Sequence, residues 1–135
     1  MKKTGILNSD ISSVLSYMGH TDTLAIGDCG LPIPAETMRI DLALKRGMPR
    51  FMEVLQSVTE DMKIEKIFLA QEIKEQNPDI CEAVLALIET FEKPCEVEYI
   101  SHEELKGRLV SCKAVIRTGE TTPYANVILQ SACLF

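Results

Sequence analysis

The stretch MGHTDTLAIGDCGLPIP, residues 18–34, decides how the chain is read. A glycine closes whatever precedes it, TDTLAIGD carries a short apolar run, and CGLPIP is a Gly/Pro loop. The segment therefore reads as the end of a helix, a strand and a turn. His20 and Asp28 stand at the two ends of that strand, an arrangement that folding alone does not require.

Outward from this stretch the chain alternates helix and strand. Upstream, NSDISSVLSYMG places Ile11, Val14, Leu15 and Met18 at helical spacing, with N-cap candidates from Asn8 to Asp10 and Gly19 as the stop. Downstream, RIDLAL at 39–44 is expected to be a strand that enters a loop at Gly47-Met48-Pro49. PRFMEVLQSVTEDM reads as a helix with Pro49 in its first turn and Phe51, Val54, Leu55 and Val58 on one face. KIFLAQ is a buried strand. NPDICEAVLALIETFE is a helix that opens with Asn77 as cap and Pro78 at the first helical position. CEVEYIS alternates as a strand, and SHEELKGRL starts a short helix with Ser101 and Glu104 in capping-box spacing. CKAVIRTGE and YANVILQSACLF are strands on either side of a Pro/Gly turn. This rhythm predicts one α/β domain over residues 1–135: a largely parallel sheet with helices on both faces, a Rossmann-like three-layer arrangement. Ligands of such sheets gather at the carboxyl ends of strands, where Asp28 and the 118–124 loop are expected.

Composition narrows the partners. Of the 135 residues, 46% are hydrophobic and 25% charged, the balance of a globular domain with a real core. A net charge of −6 repels nucleic acid and anionic membrane surfaces, so a neutral or cationic small molecule is the easier ligand. Apolar runs such as AVLALI at 83–88 fall well short of the ~20 residues that span a bilayer. The opening MKKTGILNSD turns polar at once and reads as no signal peptide. The five cysteines, Cys29, Cys81, Cys95, Cys112 and Cys133, form no CxxC pair, so no zinc site or redox dithiol is expected. They read as reduced, mostly buried thiols of a cytoplasmic protein.

The residues able to do chemistry are few. His20 follows a helix end, where partial negative charge favours the imidazolium by ~0.3–1 kcal/mol. Asp22 and Asp28 act in the same direction if they lie within ~4–6 Å. Such a ring is a usable general acid, and equally a plain cap at a helix end. His102, in a first helical turn after Ser101, is either an exposed residue or a neutral imidazole that accepts from a hydroxyl. Asp28 either grips ligand hydroxyls or shapes DCG through an Asx turn. Tyr124 and Asn126 can present a phenol and an amide to a polar ligand, with the Ala125 main chain between them. Arg117 and Glu120 read as a salt bridge. No phosphate-cradling loop, HExxH or GxSxG motif occurs. A Cys29–His20 nucleophilic pair lacks an oxyanion arrangement, and no metal-ligand spacing is present.

On these residues the chain resembles the D-ribose pyranase and L-fucose mutarotase family, most closely its ribose branch. LNSDISSVLSYMGHTDTLAIGDCGLPIP, RIDLAL, SHEELK and RTGETTPYANVIL carry the resemblance, which runs from residue 7 to about 130. The fucose branch tends to have GHGDE in place of GHTDT and lacks GLPIP. The resemblance implies cofactor-free interconversion of cyclic forms of a free sugar, here D-ribose, with no metal. It implies His20 as proton donor and Asp28, His102, Tyr124, Ala125 and Asn126 as sugar contacts. Cys29 stands where the family usually has alanine. The resemblance also implies a ring-shaped homodecamer with sugar at subunit boundaries. That agrees with a distance argument, since a strand of about seven residues parts its ends by ~20 Å. His20 and Asp28 then share no pocket within one subunit unless residues 21–23 are loop, and Tyr124 and Asn126 are expected from a neighbouring chain. L-fucose or another monosaccharide as substrate, or a non-catalytic sugar-binding module accessory to ribose transport, are the alternatives.

Overall fold

The computed structural model describes residues 1–135. In chain order the elements are α1 (Ser9–Tyr17), β1 (Thr23–Gly27), β2 (Arg39–Asp41), α2 (Phe51–Asp61), β3 (Ile64–Ala70) and α3 (Ile73–Gln76). They continue with α4 (Pro78–Ile88), β4 (Glu96–Ile100), α5 (His102–Arg108), β5 (Val115–Arg117) and β6 (Val127–Ser131). The strands form a single sheet in the order β2-β5-β1-β6-β3-β4. β2, β5 and β1 are mutually parallel, as are β3 and β4, and β6 runs antiparallel to both of its neighbours, β1 and β3. The sheet is thus parallel apart from β6, and no helix is long and apolar enough to cross a membrane.

Strand alternation sorts the core into two layers. Leu24, Ile26, Ile67, Leu69, Ile116, Val127 and Leu129 face one side, where they pack against Ile11 and Val14 of α1, Phe51 to Val58 of α2 and Val84 of α4. Ala25, Phe68, Val115 and Ile128 face the other side, against Leu105 of α5 and Leu109 of the 3₁₀ turn that follows it. Each buried Leu, Ile or Phe contributes about 1.5–3 kcal/mol, so both layers are needed to hold the sheet. The three layers agree with the sequence expectation, with the helices divided unequally between the faces.

Local chemistry sets most element ends. Asn8 caps α1 through its side chain on the Ile11 N–H (2.9 Å), and Asn77 caps α4, with Pro78 at the first position. Ser101 takes the Glu104 N–H (3.1 Å) at the start of α5. Three expectations need correction. Pro49 lies before α2 rather than in its first turn, because Arg50 is the cap and its N–H donates to Glu53 (2.7 Å). The segment at 39–44 keeps strand geometry only over Arg39–Asp41, since it pairs along β5 alone and has no neighbour on its outer side. All five cysteines are free as expected, but only Cys81 and Cys112 are buried, while Cys29, Cys95 and Cys133 are partly exposed.

Candidate active site

Parallel strands bring their carboxyl ends to one edge of the sheet, and the antiparallel β6 brings its amino end to that same edge. Asp28 after β1, Glu72 after β3, His102 after β4, Glu120 after β5 and Tyr124–Asn126 before β6 therefore converge. The Asn126 Oδ1 accepts the Asp28 N–H (2.9 Å), and the Asn126 N–H donates to the Tyr124 carbonyl (2.8 Å). Tyr124 sits in the left-handed region, with φ of 56°, and its ring stands edge-on to His102, centroids 5.1 Å apart. The His102 N–H donates to both Glu72 oxygens, at 3.2 and 3.0 Å. Ala125, fully buried, turns its methyl into the core and offers only its main chain.

This cluster leaves two buried polar atoms without partners: His102 Nδ1 and Asn126 Nδ2. Asn126 is only 1% exposed. A buried polar group without a partner costs about 1–3 kcal/mol, so the two nitrogens mark where a polar ligand would be rewarded. Asp28 makes the Asx turn, its Oδ1 accepting from the Gly30 N–H (2.8 Å), which leaves Oδ2 for a ligand hydroxyl. Gly27 makes room for all this: a Cβ there would lie 2.8 Å from Asn126 Oδ1 and closer still to the Leu31 side chain.

The loop that carries Tyr124 is held from beneath by two residues, Glu120 and Asn77, to which the sequence assigns only a salt bridge and a helix cap. Glu120, 7% exposed, accepts the Phe51 N–H of α2 (3.1 Å) through Oε2. Its Oε1 accepts from the Thr121 N–H, the Thr122 N–H and the Thr122 hydroxyl (3.2, 3.3 and 3.1 Å). Burial is the largest single influence on this carboxyl and raises its pKa. The bonds from Phe51, Thr122 and Thr121 together outweigh it and hold the group below the ordinary glutamate value. Asn77 Nδ2 donates to the Thr122 hydroxyl (2.9 Å) and the Pro123 carbonyl (2.8 Å), so the α4 cap is also a brace for the loop. The expected Arg117–Glu120 salt bridge is absent. Arg117 pairs instead with Asp41, its partner in the β2–β5 register (3.1 Å), and donates to the Cys29 carbonyl (3.0 Å).

His20 lies at the opposite edge, before β1, where Thr21 donates to the Ser131 carbonyl at the end of β6 (3.0 Å). Its Nε2 is 3.0 Å from Glu65 Oε2 at the start of β3. Asp28 stands at the other end of β1 from the ring. Asp22 directs its carboxylate to the Gly19 N–H (2.9 Å) and to Lys113 (3.4 Å) rather than to His20. One chain thus gathers Asp28, His102, Tyr124, Ala125 and Asn126 and holds His20 apart, so Tyr124 and Asn126 belong with Asp28 on the same chain. Glu72 and Glu120 could both have been suspected from their places just past a strand, whereas Asn77 carried only the signal of a helix cap.

A D-ribose pyranase of Clostridium perfringens is 53% identical over 135 residues, the whole of both chains. The structure of Bacillus subtilis RbsD complexed with D-ribose superposes with a TM-score of 0.94 at 47% identity, covering all of both chains. A fucose mutarotase in complex with L-fucose from Streptococcus pneumoniae shares the fold, with a TM-score of 0.82 at 23% identity over 96% of this chain and 95% of that one. The RbsD / FucU transport protein family model matches residues 1–134, and the chain belongs to that family.

Proposed function

We propose that this protein is a D-ribose pyranase, an isomerase that interconverts the β-pyranose and β-furanose forms of free D-ribose through the open chain. The observation that carries this reading is the pair of buried, unpartnered nitrogens, His102 Nδ1 and Asn126 Nδ2, facing the same edge as Asp28. A sugar presents several hydroxyls at close spacing, each both donor and acceptor. Asn126 Nδ2 donates to one, His102 Nδ1 accepts from another, and Asp28 Oδ2 accepts from a third. Tyr124 and the Ala125 main chain close the side of the site. The full-length relative named D-ribose pyranase and the ribose-bound neighbour support ribose as the sugar.

Ring opening of a hemiacetal needs a proton delivered to the ring oxygen and one removed from the anomeric hydroxyl. Neither a metal nor an organic cofactor is required for that exchange. Positioned acid–base groups each contribute about 10²–10⁴-fold. His20 is the proton donor in this proposal. Because it sits at the far edge of its own sheet, it acts on sugar held by a neighbouring copy, and the working form is a ring-shaped homo-oligomer, a decamer, in the cytoplasm.

Magnetisation-exchange NMR on D-ribose at equilibrium tests the reading. Wild-type protein is expected to speed pyranose–furanose exchange, and His20→Ala to lose that effect while keeping most ribose affinity. Ribose binding without acceleration would make the protein a binding module. Acceleration confined to L-fucose would make it a mutarotase of that sugar.

A further inference from the structure

The amino edge of the sheet holds a cluster that the sugar site does not include: His20, Glu65 and Gln130. We propose that Glu65, itself held by Gln130, is a positioning residue that fixes the His20 ring with its proton on Nε2, so that Nδ1 is the nitrogen that gives and takes the proton. This rests on the reading of His20 as the proton donor and specifies the atom and its support.

Three observations carry it. First, Glu65 is the extra residue of a β-bulge. Ile64 pairs with Ser131 and Lys66 with Gln130, so one residue of β3 has no counterpart on β6. The burial pattern agrees, since Ile64, Ile67 and Leu69 share one core layer, a spacing of three and then two that alternation alone would not produce. A bulge re-aims the side chain of its extra residue, and bulges concentrate beside active sites. Second, both Glu65 oxygens are engaged. Oε1 accepts from Gln130 Nε2 (2.7 Å) and Oε2 faces His20 Nε2 (3.0 Å), the first of these bonds contributing most to a Glu65 pKa below the ordinary value. An ionised carboxylate only accepts, so Nε2 must carry hydrogen in both the neutral and the cationic ring, and the exchangeable proton is the one on Nδ1. Third, the backbone under His20 is held in a demanding turn. The Asp22 N–H donates to the Gly19 carbonyl (3.2 Å) and the Gly19 N–H to Asp22 Oδ2 (2.9 Å). Thr21 takes a φ of 70° and is anchored by its bond to Ser131. A non-glycine residue in that region is strained, and the strain persists only where neighbours enforce it. The His20 side chain remains 51% exposed, which leaves the ring within reach of an incoming neighbour.

The proton step then balances. The imidazolium Nδ1–H passes its proton to the ring oxygen as the bond from that oxygen to the anomeric carbon breaks. The anomeric hydroxyl loses its proton to solvent as the carbonyl forms, and solvent restores the proton on Nδ1. Reclosure through a different hydroxyl runs the same sequence backwards.

The test begins with ¹⁵N–¹H correlation spectra of ¹⁵N-labelled wild-type protein, with His20→Ala for assignment. The neutral ring is expected as the Nε2–H tautomer, and a neutral ring protonated on Nδ1 overturns the proposal without any variant at Glu65. Ribose exchange is then measured for Glu65→Gln and Gln130→Met. Glu65→Gln is expected to slow catalysed exchange by about tenfold or more, with ribose affinity within twofold and the Nε2–H signature lost. Gln130→Met is expected to show a smaller change of the same kind. A Glu65→Gln protein with wild-type exchange and an unchanged tautomer overturns the positioning role, even where His20→Ala is inactive. A His20→Ala protein with wild-type exchange overturns instead the assignment of the donor on which the role rests.

Discussion

His102 and Asn126 each bury a nitrogen with no protein partner, and both nitrogens belong to the set proposed to hold the sugar. His102→Phe separates ligand binding from stability. The phenyl ring keeps the edge-on contact with Tyr124 and deletes the unpaired nitrogen, so the thermal midpoint is expected to hold or rise in scanning calorimetry. Ribose affinity in a calorimetric titration is expected to fall about tenfold, the loss of roughly one good hydrogen bond. Undiminished binding would remove His102 from the site. Glu120 makes the opposite case, a buried carboxylate with every oxygen taken. Because its pKa is depressed on folding, the unfolded chain binds the proton more tightly, and stability rises with pH between the folded and unfolded values. That stabilisation is present above the ordinary glutamate value and lost as pH falls through the lower, folded-state one. Glu120→Gln turns an NH₂ toward donors and is expected to cost ~1–3 kcal/mol at neutral pH. Urea midpoints followed downward from about pH 6 are expected to fall less steeply for Glu120→Gln than for wild type.

Elements with strong local signals form where their residues call for them. α4 carries its own cap and proline, and β1 its own apolar run and Gly/Pro exit, so neither needs tertiary help to be recognised. Weaker elements take their ends from neighbours. β2 stops after three residues because only β5 pairs with it, and α3, four residues long, is a turn before the Asn77 cap. The bulge at Glu65 is invisible in IEKIFLA, since it arises from how β6 lies alongside. Two glycines show the same division. Gly107 lies in α5 with nothing within 4 Å of an added Cβ, whereas a Cβ on Gly119 would fall 2.5 Å from Met48 N and 2.6 Å from its carbonyl carbon. Gly107→Ala is expected to stabilise by about 0.5–1 kcal/mol through helix propensity alone. Gly119→Ala, whose clash is with backbone, is expected to cost at least ~1–3 kcal/mol. Urea denaturation of both variants checks the pair, and a Gly119→Ala protein as stable as wild type would show that the 44–49 loop can give way.

At the scale of the molecule, the sheet places His20 and the cluster proposed to hold the sugar on opposite edges. β1 alone separates them by about 16 Å at ~3.3 Å per residue over its five residues. If the working site is built between copies, two inactive variants should rescue each other. His20→Ala mixed with Asp28→Ala during assembly is expected to regain roughly a quarter of the wild-type sites, because each restored site takes its His20 and its Asp28 from different chains. No recovery in ribose exchange, with mixed oligomers verified by native mass spectrometry, would mean that each chain works alone. What the amino-acid sequence determined by itself was local: the alternation of helix and strand, the caps at Asn8, Asn77 and Ser101, and the residue types suited to proton transfer and sugar contact. Those follow from periodicity and from hydrogen bonds spanning three or four residues. Which of them meet was decided by tertiary structure alone. The reversed direction of β6 carries Tyr124 and Asn126 to Asp28 and His102, the bulge in β3 carries Glu65 to His20, and the loop beneath Tyr124 is set by Glu120 and Asn77. Each of these contacts joins residues 30 or more positions apart in the chain, for which neither periodicity nor local spacing holds a record.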